Sequence, residues 1–150
     1  MPSKKKDVKL SYYFEKPPEE VFAALTKPKK IVSWFSKKAK FEPKVGGDFS
    51  LDWGNYRLKG KVKKFVKDKK LVLSWHDDFG KGKKYVTRAA FTLSKKGEGT
   101  ILKVKHSGFK AGEDWDQLHE DVKTGWTYFL MNLKSVLSGG KDLRSEHDEN

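Results

Sequence analysis

His106 is the side chain best placed for acid–base chemistry. It follows Leu102 and Val104 at intervals of two, so a strand with that alternation turns the imidazole to its buried side. There it is either a core histidine satisfied by hydrogen bonds or a general acid–base. The second role needs a partner such as Tyr56 within about 3 Å of the proton being moved. The other groupings of titratable residues are incomplete. His119-Glu120-Asp121 lacks the second histidine of HExxH, His76-Asp77-Asp78 falls at a strand end, and GxSxG does not occur. The chain has no cysteine, which excludes a thiolate nucleophile, a disulfide framework and Cys-based zinc or iron–sulfur centres. Neither a Walker nor a dinucleotide glycine pattern is found, so no metal and no cofactor are expected.

The richer signal is for binding. Trp34, Phe49, Trp53, Tyr56, Trp75, Phe91, Trp126 and Phe129 all fall on inward phases of the elements that carry them. Such rings either fill a core or wall a cavity for an apolar ligand. Gly125 sits inside a helical pattern, where glycine costs about 1 kcal/mol against alanine. Either a strand approaches closely there, or a gap opens beside Trp126. With His106, these residues form the candidate ligand-binding set. On the opposite phase, Arg57, Lys59, Lys61 and Lys63 form a basic stripe, continued by Lys103 and Lys105, that an acidic protein partner would fit. No aromatic residue interleaves with that stripe, and the chain has 30 Lys but only 3 Arg, so nucleic acid is not the expected partner.

The elements that must hold these residues can be read in order. Val8 to Glu15 reads as a strand, ended by Lys16-Pro17-Pro18. Proline with Glu19 and Glu20 then starts a short helix, and a second helical stretch runs from Lys29 to Phe35. Alternating strands follow: Phe49, Leu51 and Trp53; then Tyr56, Leu58, Gly60 and Val62; then Leu71, Leu73 and Trp75; then Tyr85 to Leu93; then Leu102, Val104 and His106. Asp68-Lys69-Lys70, Gly80-Lys81-Gly82 and Gly97-Glu98-Gly99 are the turns between them, a spacing that favours an antiparallel meander. From about Asp114 to Leu137, Leu118, Val122, Trp126, Phe129, Leu133 and Val136 form one helical stripe, and Gly139-Gly140 ends it.

A strand, two short helices, a curved meander and one long amphipathic helix bury their apolar faces by wrapping the sheet around that helix, which is an α+β helix-grip fold. At 150 residues and 17.3 kDa this is one domain, spanning residues 8–138, with a basic arm at 1–7 and a mobile tail at 139–150. The net charge of +13 is uneven: residues 1–109 carry 28 basic and 11 acidic side chains, residues 110–150 carry 5 and 9. No secretory signal or membrane span is readable, so the expected location is cytoplasmic.

At this point the chain resembles a known family. Pro17-Pro18-Glu19-Glu20-Val21-Phe22-Ala23-Ala24-Leu25-Thr26, Trp34, Gly46-Gly47, Gly60, Leu71-Val72-Leu73-Ser74-Trp75, Gly99-Thr100, His106-Ser107-Gly108 and Gly125-Trp126 with Leu130 and Leu133 occur in the order typical of the activator of Hsp90 ATPase homologue family. That family lies within the START/Bet v-like (SRPBCC) superfamily. The resemblance covers residues 17–133 and implies the helix-grip fold. It leaves function open, because one fold hosts many activities. The first expectation is a non-enzymatic domain that binds a small apolar or amphipathic ligand, such as a lipid or fatty acid, between sheet and helix. The resemblance also implies a co-chaperone that stimulates the ATPase of the 90-kDa heat-shock chaperone, although no residues remain here for that activator's N-terminal chaperone-binding domain. A cyclase- or hydrolase-like enzyme of the same superfamily is the third reading, and no motif carries it.

Overall fold

The structure is a computed structural model that describes residues 5–77 and 85–144. Seven antiparallel strands form one curved sheet in the order β1-β7-β6-β5-β4-β3-β2. The strands are β1 (Val8–Phe14), β2 (Lys38–Phe41), β3 (Asp48–Asp52), β4 (Arg57–Val66), β5 (Lys70–Asp77), β6 (Tyr85–Lys96) and β7 (Gly99–Ser107). Two short helices, α1 (Pro18–Thr26) and α2 (Pro28–Ile31), carry the chain from one edge strand, β1, to the other, β2. The long helix α3 (Glu113–Leu137) lies in the concave face, where Trp126 meets Phe91 at 5.5 Å and Trp75 at 5.3 Å between ring centroids. This is the helix-grip fold expected from the element pattern.

Local chemistry explains the elements. Pro18 opens α1 with Glu19 and Glu20 in the first turn, where carboxylates oppose the positive end of the helix dipole. The β4–β5 hairpin turns at Asp68, whose φ of +63° is a left-handed conformation that a short polar side chain tolerates. Along β4, Leu58 and Val62 are buried while Arg57, Lys59, Lys61 and Lys63 are exposed, so the period-two reading of that strand holds. Opposite Phe49 stands Gly60, and a Cβ there would strike the backbone carbonyl of Ser74 and the Phe49 ring. Glycine at this position leaves room for the ring against the strand.

Four details differ from the sequence reading. β2 is absent from the sequence reading, because its four residues Lys-Ala-Lys-Phe offer only two inward positions, the half-buried Ala39 and Phe41, at the sheet edge. Trp53 and Tyr56 fall in the turn between β3 and β4 rather than on those strands. Helix α2 ends at Ile31, leaving Trp34 and Phe35 in the turn beyond it. The segment expected as a mobile tail from residue 139 is tied down as far as 144: Asn132, fully buried on α3, donates to the Trp34 carbonyl (2.9 Å) and to Asp142 Oδ1 (3.1 Å). Its own Oδ1 accepts from the Leu143 amide at 2.6 Å, and Arg144 donates to the carbonyls of Val32 (2.8 Å) and Ser36 (3.2 Å). The Gly80-Lys81-Gly82 turn lies outside the described residues.

Candidate functional site

Between α3 and the β3–β5 side of the sheet lies a cavity of about 420 Å³. Leu118, Asp121, Val122, Gly125, Trp126 and Phe129 line it from the helix. These positions are spaced by three and four residues, so one continuous face of α3 forms that wall. Opposite stand Phe35, Trp53, Tyr56, Leu58, Trp75 and Asp77. Leu58, Trp75, Asp77, Leu118 and Trp126 are buried, while Trp53, Tyr56, Val122 and Phe129 are half-buried and Asp121 is exposed, which sets the deep end and the mouth.

Phe35 organises the aromatic wall. Its ring stacks on Trp34 at 4.7 Å and on Trp126 at 5.4 Å, and meets Phe129 (4.8 Å) and Trp53 (5.1 Å) edge to face. Such offset and T-shaped pairs add about 0.5–1.5 kcal/mol each beyond area burial, so the wall is preformed. Hydrogen bonds fix two of its indoles: Trp53 Nε1 donates to the Phe35 carbonyl at 2.9 Å, and Trp126 Nε1 donates to His106 Nδ1 at 3.1 Å. Gly125 is the gap in the helix face. A Cβ built there meets nothing within 4 Å, so the glycine faces open space and no strand approaches it.

The candidate residues divide into two groups. Trp53, Tyr56, Trp75, Gly125, Trp126 and Phe129 come together at the cavity. Trp34, Phe49 and Phe91, grouped with them from their inward phases, instead stand behind it in the packed core, around a void of about 20 Å³. An inward phase places a ring on the concave face; whether that ring meets empty space depends on how closely α3 approaches at that point. His106 is likewise corrected. It is fully buried, does not line the cavity, and finds its partners in side chains, with Nε2 at 2.6 Å from Thr87 Oγ1. An indole N–H can only donate, so Nδ1 is the acceptor for Trp126 and Nε2 carries the proton shared with Thr87. Burial pushes its pKa down to about 3, which keeps the imidazole neutral. No hydrogen bond joins it to Tyr56, which leaves the acid–base pairing without support.

Phe35, Leu58, Asp77, Leu118, Asp121 and Val122 line the cavity but were not singled out from sequence. Signals for most of them exist. Leu118 and Val122 lie on the same helical stripe as Trp126, Asp121 is one turn before Gly125, and Asp77 continues the alternation of Leu71, Leu73 and Trp75. On the convex face, Arg57 pairs with Asp52 at 3.3 Å and Lys61 with Asp48. The latter contact raises the Lys61 pKa and lowers that of Asp48, each through the hydrogen bond between them. Lys59, between these pairs, and Lys63, beyond them, are exposed to solvent.

Comparison with known proteins places this architecture. The family model described as Activator of Hsp90 ATPase homolog 1-like protein matches residues 15–138. No curated protein matches the chain. Among solved structures, a protein of Mesorhizobium loti is 29% identical with a TM-score of 0.79, over 91% of this chain and 99% of that one. An HSP90 activator from Plasmodium falciparum is 27% identical with a TM-score of 0.74, over 89% of this chain and 97% of that one. The Aha1 dimer from Colwellia psychrerythraea, at 20% identity and a TM-score of 0.77 over 91% and 99% of the two chains, shares the fold. The chain thus belongs to the Activator of Hsp90 ATPase homolog 1-like family.

Proposed function

We propose that this protein binds one small apolar or amphipathic molecule in the cavity between the sheet and α3, as a binding domain rather than an enzyme. The observation that carries the reading is the cavity itself. It has about 420 Å³ of space walled by preformed aromatic rings, and the helix carries a glycine where the space is open. Ligand pockets are typically apolar concavities of a few hundred Å³ with a few polar groups, here Tyr56, Asp77 and Asp121. Burying roughly 300 Å² of apolar ligand surface at about 25 cal/mol per Å² contributes around 7 kcal/mol. Association costs reduce that figure, so the affinity is expected to be micromolar or weaker. Titration with the neutral fluorophore N-phenylnaphthylamine tests this. The expected result is saturable one-to-one binding with a blue-shifted probe emission. Absence of binding to the folded protein would overturn the reading.

A second reading is co-chaperone activity, favoured by the 27% identity to an HSP90 activator of nearly the same length. Under it, the exposed Arg57, Lys59, Lys61 and Lys63 would meet an acidic chaperone surface. The test is the ATPase rate of the 90-kDa chaperone with and without this protein; an unchanged rate at saturating protein contradicts it.

A further inference from the structure

Four of the five backbone carbonyls from residue 32 to 36 accept hydrogen bonds from side chains brought in from elsewhere in the chain. Arg144 donates from Nη2 to Val32 (2.8 Å) and from Nη1 to Ser36 (3.2 Å). Asn132 Nδ2 donates to Trp34 and Trp53 Nε1 to Phe35, each at 2.9 Å. Phe35, the ring on which the aromatic wall is organised, lies within this stretch. We propose that segment 141–144 sets the affinity of the cavity for its ligand, with Arg144 as a positioning residue that acts through Phe35. This rests on the reading of the cavity as a ligand site and names what holds its wall in the binding geometry.

The stretch depends on outside donors. Helix α2 ends at Ile31 and β2 begins at Lys38, so residues 32–36 belong to neither a helix nor a ladder. Its own backbone supplies the amide bonds of Trp34 and Phe35, both to the Ile31 carbonyl, at 3.2 and 2.9 Å. Trp34, Phe35 and Ser36 are nevertheless buried, where a carbonyl without a partner is costly.

Arginine suits this task because its guanidinium holds five donors in a fixed fork. Here Nε and Nη2 grip the Asp142 carboxylate at 3.0 and 2.7 Å while Nη1 and Nη2 reach the two carbonyls. Asp142 is tied in turn to Asn132 of α3 at 3.1 Å. One network thus joins the helix that forms one wall of the cavity to the turn that carries Phe35 on the other. Neither Asp142 nor Arg144 lines the cavity, so removing Arg144 takes no contact from a ligand. What it changes is the freedom of Phe35 before binding, and a ring that the ligand itself must order subtracts that ordering cost from the affinity.

Calorimetric titration with N-phenylnaphthylamine tests the proposal, with thermal unfolding of every variant alongside. Arg144→Ala is expected to bind about three- to tenfold more weakly than the parent at a temperature where both are fully folded. Arg144→Lys keeps a cation beside Asp142 without the planar fork. It is expected to weaken binding by a smaller factor, and it decides the matter if Arg144→Ala does not fold. Thr100→Val separates positioning from stability. It removes the Thr100 hydrogen bond to the Lys16 carbonyl (2.7 Å), away from the cavity lining, and is expected to lower the melting temperature while leaving probe affinity at the parent value. Parent-like binding by both Arg144 variants overturns the proposal. So does a loss in Thr100→Val as large as that in Arg144→Ala, because affinity would then follow global stability. In both cases the parent's own binding leaves the cavity reading standing. A folded parent that does not bind the probe overturns the two together.

Discussion

His106 links the core to the cavity wall through one hydrogen bond, and its buried position carries a pH dependence. The neutral imidazole is held at a pKa of about 3 against 6.5 when exposed, so between these values the unfolded chain binds a proton that the folded chain does not. Stability is fully present above pH 6.5 and falls as pH drops towards 3. At about 1.36 kcal/mol per unit, the loss at pH 5 relative to pH 7 is about 2 kcal/mol. Urea titrations across that range are expected to show this decline in the parent and a flatter profile in His106→Gln, whose amide does not titrate. An identical decline in both would assign the pH dependence elsewhere. Trp126→Phe keeps a ring in the wall but leaves His106 Nδ1 without its donor, at an expected cost of about 1–3 kcal/mol in the same assay.

At the scale of elements, β4 and α3 each serve two purposes. The inward face of β4 brings Leu58 to the cavity, while its outward face presents Lys59 and Lys63. Reversing both lysines to Glu is expected to leave stability within about 0.5 kcal/mol, because exposed positions carry little folding energy. If the co-chaperone reading holds, the same variant loses its salt-sensitive stimulation of the chaperone ATPase. Helix α3 supplies one cavity wall and also anchors the C-terminal segment through Asn132. Asn132→Ala leaves the Trp34 carbonyl and the Leu143 amide without this partner, and denaturant midpoints are expected to reveal a loss of about 1–3 kcal/mol. Beside the same residue, Arg144 holds the Asp142 carboxyl down to about 2, so this contact persists through the pH range in which His106 titrates.

The legibility of each element from sequence followed its periodicity. The α3 stripe and the alternation in β4 to β7 mark their own faces, because a repeated apolar phase has one solution. β2 repeats its apolar phase only twice, at Ala39 and Phe41, and Asn132 is a polar residue whose burial depends on a partner segment ten residues further on. The same limit applied to the site. Period told which rings face inward; the separation of α3 from the sheet decided that Trp53 and Phe129 meet empty space while Phe49 and Phe91 meet each other's neighbours. Gly125 was the most informative single position, since its helix cost left only close approach or a gap to explain it.

For the molecule as a whole, one curved sheet closes on one long helix and leaves a cavity at a glycine-marked stretch of that helix. No helix among the described residues is long and apolar enough to cross a membrane. Among the described residues no lysine or arginine lines the cavity, and those of β4 are exposed on its other face, so binding of a neutral ligand is expected to be insensitive to salt. The most direct measurement compares the parent with Gly125→Leu by calorimetric titration of N-phenylnaphthylamine, alongside thermal unfolding of each. Leucine at 125 meets no wall and gains helix propensity of about 1 kcal/mol, so its melting temperature is expected to equal or exceed the parent's, while its side chain fills the cavity and abolishes binding. A stable Gly125→Leu protein that binds the probe as tightly as the parent would contradict the account.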